Sequence, residues 1–217
     1  MILNLFSINM GKYTKVKLIL LGDTYTGKSS ILSMYKDNCF NENISATIGV
    51  DFVKSTIKKN NNDYSLYIWD TSGQEKFNSI ILSYYRNISV ILLVFDLSNR
   101  KTFVNLNKWL RDISHYSDDK VIIKLVGNKY DKPKIISNHE IKEFCIDNNI
   151  NFSSYLEVSA KDNINIDKIF TDIVNDLDYK LTNCLIEPCS KNGITVVREL
   201  DIEEKRINKK NNCCVYL

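Results

Sequence analysis

The 217-residue chain reads as an α/β protein, a six-stranded and mostly parallel sheet with one antiparallel edge strand and helices on both faces. Three observations predict it. Apolar runs of strand length alternate with segments of helical period, the pattern of repeated βα units. Later runs such as Val90 to Asp96 are continuously apolar, as strands buried on both faces of a parallel sheet must be. A polar insert, Asn60-Asn61-Asn62-Asp63, separates two adjacent strand-like runs, so that pair turns back on itself as a hairpin.

In chain order, Val16 to Leu21 is the first strand and Lys28 to Lys36 the first helix. The hairpin strands span Asp51 to Lys59 and Tyr64 to Asp70, and a short helix follows over Ser79 to Arg86. Next come strand Val90 to Asp96, a helix from Lys101 to Tyr116, strand Val121 to Gly127 and a helix from Asn138 to Asn148. Strand Phe152 to Val158 and a helix from Asn165 to Leu181 complete the set. Beyond Leu181 the period fades, and Pro188 and Gly193 break any helix. The expected organisation is therefore an N-terminal extension over 1–14, one domain over 15–181 and a flexible tail over 182–217.

Composition bounds the function. A net charge of +3, with both signs spread along the chain, gives no footprint for nucleic acid. No apolar run reaches the roughly eighteen residues a membrane-spanning helix needs. The opening MILNLFSINM lacks a basic segment, so no signal peptide is expected, and a start at Met10 remains open. After Met10, Lys15 stands where a myristoylation signal needs Ser or Thr. The six cysteines, at 39, 145, 184, 189, 213 and 214, have no spacing that suits zinc and read as reduced thiols.

Gly22-Asp23-Thr24-Tyr25-Thr26-Gly27-Lys28-Ser29 fits GxxxxGK[ST] and lies between a predicted strand and a predicted helix, the context such a phosphate loop requires. Backbone N–H groups of a wrapped loop and the N-terminus of a helix favour an anion, Lys28 suits the β and γ oxygens, and Ser29 suits magnesium. Ser30, next in the helix, is counted with them. The loop alone does not choose the nucleotide. Asn128-Lys129-Tyr130-Asp131 follows a strand at the edge where ligands of such folds bind. A carboxylate at Asp131 can accept from the N1–H and 2-amino group of guanine. Adenine offers neither, which would cost about 2 to 4 kcal/mol. Ser159-Ala160-Lys161 could present a backbone N–H to the guanine O6, and Phe40, eleven residues after Ser29, could pack against the base.

Asp70-Thr71-Ser72-Gly73-Gln74-Glu75 places an acid at the end of a strand beside the loop, suited to hold the metal through water. Thr47 could reach the same metal only with a γ-phosphate present, which the Gly73 N–H could also meet. Two loops would then order with GTP and relax with GDP. With Ile48-Gly49-Val50-Asp51-Phe52, Ile68-Trp69-Asp70, Gln74-Glu75-Lys76-Phe77, Tyr84-Tyr85-Arg86 and Leu93-Val94-Phe95-Asp96, the chain from Lys15 to Leu181 resembles the Rab family of the Ras-like superfamily. Thr102-Phe103-Val104 with Asn107-Lys108-Trp109-Leu110, Leu125-Val126-Gly127-Asn128-Lys129 and the terminal Cys-Val-Tyr-Leu look most like subgroup eighteen. Ser72 for Ala, Asn87-Ile88 for Gly-Ala and Tyr25 for Gly or Ala depart from the family pattern.

The resemblance implies a P-loop GTPase fold and a GTP/GDP switch in vesicular trafficking that uses Mg2+ and hydrolyses GTP slowly. Gln74 would orient the attacking water, an activating partner would supply an arginine and in some complexes a glutamine, and Ile48, Gly49, Phe52, Trp69 and Tyr84 would form the surface effectors read. It also implies an exchange factor, a GTPase-activating protein, prenylation and membrane-extraction chaperones, and a monomer. The terminal Cys214-Val215-Tyr216-Leu217 fits a prenylation box with Leu favouring geranylgeranyl, and Cys213 could carry a second chain. Lys205, Arg206, Lys209 and Lys210 would add attraction to anionic lipid, against Glu203 and Glu204. The expected location is the cytoplasmic face of an intracellular membrane with a cytosolic pool, and from the subgroup the endoplasmic reticulum or lipid droplets. Two other readings stay open: a switch without useful turnover, motivated by Tyr25, and a metabolic P-loop kinase, which Asn128 to Asp131 and the tail oppose.

Overall fold

In the computed structural model, residues 12–42, 47, 49–71, 87–117, 121–183, 185 and 194–198 are described. Strand β1 (Lys12–Leu21) leads into helix α1 (Lys28–Asp37), then β2 (Val50–Lys59), β3 (Asn62–Thr71) and β4 (Val90–Asp96). Helices α2 (Arg100–Val104) and α3 (Leu106–Tyr116), β5 (Ile122–Asn128), α4 (Asn138–Asp147), β6 (Tyr155–Glu157), α5 (Ile166–Thr182) and β7 (Ile194–Arg198) follow. The order across the sheet is β2-β3-β1-β4-β5-β6, antiparallel only at β2–β3 along that path. The predicted architecture stands.

The pleat sorts one run of apolar residues into two cores. Val16, Leu18 and Leu20 of β1 and Val90, Leu92 and Val94 of β4 point to the face covered by α1 and α5, where Ile31, Phe170 and Ile173 meet them. Ile19, Leu21, Ile91, Leu93 and Phe95 point to the other face, against Trp109, Ile113 and Phe144 of α3 and α4. Each such buried side chain contributes on the order of 1.5 to 3 kcal/mol. At the remote end, the Asp178 carboxylate of α5 accepts from the Tyr64 hydroxyl at 2.7 Å and from Asn60 at 3.1 Å, which ties the hairpin to the last helix. The turn there needs left-handed backbone at both Asn60 (φ 49) and Asn61 (φ 60), which asparagine tolerates best among residues with a side chain.

Four boundaries differ from the expectation, each for a physical reason. β1 begins at Lys12, inside the expected extension, because its backbone pairs in register with β3 from Lys12↔Asn62 onward, and a ladder needs no apolar side chains. The expected helix from Lys101 to Tyr116 divides at Asn105, where the turn tightens: Asn105 stays helical at φ −68, ψ −13, but its carbonyl oxygen accepts the Lys108 N–H at 2.9 Å ahead of the Trp109 N–H at 3.4 Å. The expected strand from Phe152 shrinks to Tyr155–Glu157, since the Asn151 side chain accepts the Ser153 N–H at 3.0 Å and starts a tight 3₁₀ turn. Within the expected flexible tail, Ile194–Arg198 forms a seventh strand. β4 pairs with β1 only from Leu18 onward, so the edge from Lys12 to Val16 is open to β7, and Ile194 buries its side chain in the α1/α5 core. The expected helix Ser79 to Arg86 and residues 1–11 and 199–217 lie outside the described residues.

Candidate functional site

The C-terminal ends of β3 and β5, with the loops after β1, β5 and β6, line a cavity of about 400 Å³, the size that encloses a small ligand. Its first wall is the turn from β1 into α1. Gly22 has φ 139, and a Cβ there would sit 2.0 Å from the Val94 carbonyl oxygen of β4. Gly27 caps α1 at φ 91, and its Cβ would sit 2.3 Å from the Asn128 amide nitrogen. Both positions are closed to other residues by contact as well as by backbone. Tyr25 also takes a left-handed φ of 65, a strained conformation for a bulky residue, and its ring is 71% exposed. It lines the cavity mouth with Thr24.

Lys28 is buried, and its ammonium donates to the Gly22 and Asp23 carbonyl oxygens at 2.7 and 2.9 Å. Burial pushes its pKa down to about 8, against the pull of the Asp70 and Asp23 carboxylates. Beside it, the Ser29 hydroxyl bonds to Oδ2 of Asp70 and lies 2.7 Å from the Thr47 hydroxyl. Burial, opposed by the Ser29 bond and by Lys28, raises the Asp70 pKa. Its Oδ1 is buried without a hydrogen-bond partner among the described residues. An orphaned carboxylate oxygen beside two hydroxyls suits a small hard cation that prefers oxygen donors.

The second wall is assembled from separate segments. Asn128, at the end of β5, donates from its amide to the Thr26 carbonyl oxygen at 2.9 Å and accepts the Ala160 N–H at 3.2 Å, joining the first loop to the one after β6. Of the backbone N–H groups of Ser159 to Lys161, one of which was expected to meet the base, that of Ala160 bonds to Asn128 here. Ser159 donates to Asp131 Oδ1 at 2.7 Å and accepts the Asp162 N–H at 3.0 Å, which aims an exposed carboxylate. Lys129 turns at φ 65 and pairs with Asp96 at 2.7 Å. Phe40 packs partly on the core and lines the cavity with Ser30, Asp131 and Lys161.

Sequence reasoning missed Asn41, Glu42, Thr71 and Lys132, which also line the cavity. Glu42 reaches Lys161 at 2.8 Å, and that pairing holds the Glu42 carboxyl below its ordinary pKa. Nothing in the spacing of these four announced them. Asp23, counted as nucleotide-binding, turns its carboxylate out of the cavity toward Asn105 and Trp109.

A Ras family match spans residues 17–179. The Ras-related protein Rab-1 of Theileria parva is 41% identical over 169 residues, 76% of either chain. Rab-8B of Dictyostelium discoideum is 35% identical over 201 residues, 92% of this chain and 93% of its own. Rab-10 of Caenorhabditis elegans is 35% identical over 200 residues, 91% of this chain and 95% of its own. The chain belongs to the Ras family and is a Rab-type small GTPase. As such it binds GTP and GDP, hydrolyses GTP, acts in vesicular trafficking at intracellular membranes and answers to regulators and effectors. The relatives named here carry other subgroup numbers than eighteen.

Outside the cavity, the Rab-type GTPase shows a face of β2 and β3 where Phe52 stands exposed, its ring 5.2 Å from that of Trp69, with the Lys17 ammonium 5.1 Å from the Trp69 ring centre. Gly49 precedes it with φ 85. Ile48, Gly73, Gln74, Tyr84, Cys213 and Cys214 lie outside the described residues. No described helix is long and apolar enough to cross a membrane.

Proposed function

We propose that the cavity holds the guanine nucleotide with its phosphates on residues 22–30 and its base between Phe40, Asn128, Lys129, Asp131 and the loop Ser159 to Lys161. The observation that carries the reading is the pairing of two unlike ends in one cavity: a buried ammonium and helix N-terminus at Lys28, and an aimed carboxylate at Asp131. Ser29 and Thr47, with Asp70 acting through water, would hold Mg2+, and the orphaned Asp70 oxygen supports this. The ion would supply charge neutralisation at the β and γ oxygens.

In hydrolysis, water attacks the γ-phosphate in line. The work of this chain is positioning: Lys28 neutralises charge, backbone N–H groups fix the phosphates, and Gln74 orients the water. Among the described residues no arginine lines the cavity, and an activating partner brings one. Phe52 and Trp69, with Ile48, Gly49 and Tyr84, form the surface that effectors read. Cys213 and Cys214 carry prenyl chains added and shielded by chaperones, and two chains hold a monomer on a membrane where one is marginal. The endoplasmic reticulum or lipid-droplet address rests on the subgroup resemblance alone. The test is the nucleotide content of the purified protein followed by one hydrolysis trace. Bound GDP or GTP with slow release of phosphate is expected. Protein that carries no guanine nucleotide and competes equally for ATP and GTP would overturn the base assignment.

A further inference from the structure

Asp23 is the acidic residue of a loop that otherwise attracts anions. A carboxylate turned into the cavity would face the phosphates with like charge. The structure turns it outward. Oδ2 accepts from the Asn105 amide at 2.6 Å, and Oδ1 accepts from the Trp109 indole N–H at 2.9 Å. Both donors belong to the start of α3, and Trp109 is only 6% exposed, packed in the α3/α4 core. The backbone of the same residue faces the other way. Its carbonyl oxygen accepts from the Lys28 ammonium at 2.9 Å and from the Thr26 hydroxyl at 2.9 Å.

We propose that Asn105 and Trp109 are positioning residues for the phosphate site, bracing the loop from outside through the Asp23 carboxylate so that its carbonyl holds Lys28 in place. The inference rests on the guanine-nucleotide reading of the cavity. Two rigid anchors on one side chain fix the rotation of Asp23 and hence the direction of its carbonyl. Loss of either donor leaves the carboxylate partly desolvated and unpaired, or lets it swing toward the phosphates. Both outcomes loosen the nucleotide. Bonds to a charged group are the stronger kind, so the brace outweighs an ordinary loop contact. Asn105 itself keeps helical backbone at φ −68, ψ −13, with its N–H on the Lys101 carbonyl oxygen at 3.0 Å, so its side chain reaches Asp23 from a well-held position.

The experiment is a double-mutant cycle on the full chain loaded with Mg2+ and fluorescent GDP. Release rates are measured for wild type, Trp109→Phe, Asp23→Ala and the double variant, with a thermal scan of each. Trp109→Phe keeps most of the ring's packing and removes the N–H, and it should speed release about tenfold, the worth of one bond to a charged group. On the Asp23→Ala background the same change should alter release by less than about twofold, because its target is gone. Equal acceleration in both backgrounds, or none in either, would overturn the inference and leave Trp109 a packing residue. If Trp109→Phe fails to fold, Asn105→Leu runs the same cycle through the other oxygen. Wild type that does not hold GDP would overturn the nucleotide reading itself, and this inference with it.

Discussion

The two ends of the cavity are built by different means. The end proposed for the phosphates comes from one continuous stretch of chain, shaped by backbone conformations at Gly22, Tyr25 and Gly27 and by a lysine buried under its own loop. The base end comes from segments far apart in sequence, held by side-chain bonds such as Asn128 to Thr26 and Ser159 to Asp131. On the proposed reading, one end would draw its binding free energy from a desolvated charge, the other from the geometry of acceptors. Substitutions should therefore change overall affinity at the first end and selectivity at the second.

The largest effect is expected for Lys28→Ala. Removing one partner of a buried ionic contact costs about 3 to 5 kcal/mol, so GDP and GTP affinity should fall between roughly 10²-fold and several thousandfold, read by titration. Nucleotide-free stability at pH 7 should hold or rise, because the buried ammonium is a burden until phosphate arrives. Asp131→Ala should erase about 2 to 4 kcal/mol of preference for GTP over ATP in a competition titration. If selectivity survives, the base end works by other contacts.

Tyr25→Gly relieves the left-handed strain at φ 65 and opens the mouth of the phosphate end. Intrinsic single-turnover hydrolysis or nucleotide release should rise by more than about threefold, or ~0.7 kcal/mol in barrier. Smaller changes in both rates would remove Tyr25 from any regulatory role.

The depressed Lys28 pKa gives a smaller effect with a definite sign. Between its folded value of about 8 and the ordinary lysine value of 10.5, the unfolded chain binds more protons than the folded one. This group's penalty on nucleotide-free stability is full below about pH 8 and fades as pH rises through that window. Phosphate needs the charged form, so GDP binding near pH 8 should take up about half a proton, measured by calorimetry in buffers of different ionisation heat. The smallest effect belongs to Glu42→Ala at the base end. Its ion pair with Lys161 is solvent-exposed, and GDP release should change by less than about twofold.

The phosphate end was legible because its function depends on local backbone geometry. Glycines at a strand-to-helix turn, followed by lysine and serine, state both the turn and the charge. Asp131 was legible for a related reason, since it follows a buried strand at a known edge of the sheet. Glu42 and Lys132 were not, because nothing local distinguishes them from other surface residues, and Thr71 was not, because its burial at the end of β3 comes from the fold. Trp109 was read only as part of a subgroup sign and Asn105 was not singled out, and their bonds to Asp23 join residues 86 and 82 positions apart.

The sequence by itself determined the order of strands and helices, the hairpin, the phosphate loop and the choice of guanine, since each follows from side-chain period or from local chemistry. Only the tertiary structure decided where β1 starts, that Ile194–Arg198 joins the sheet, that Asn128 staples two loops, and that the Asp23 carboxylate faces α3. Those features depend on which backbone edges are left open and which donors come within about 3 Å in space. Neither quantity has a signature along the chain.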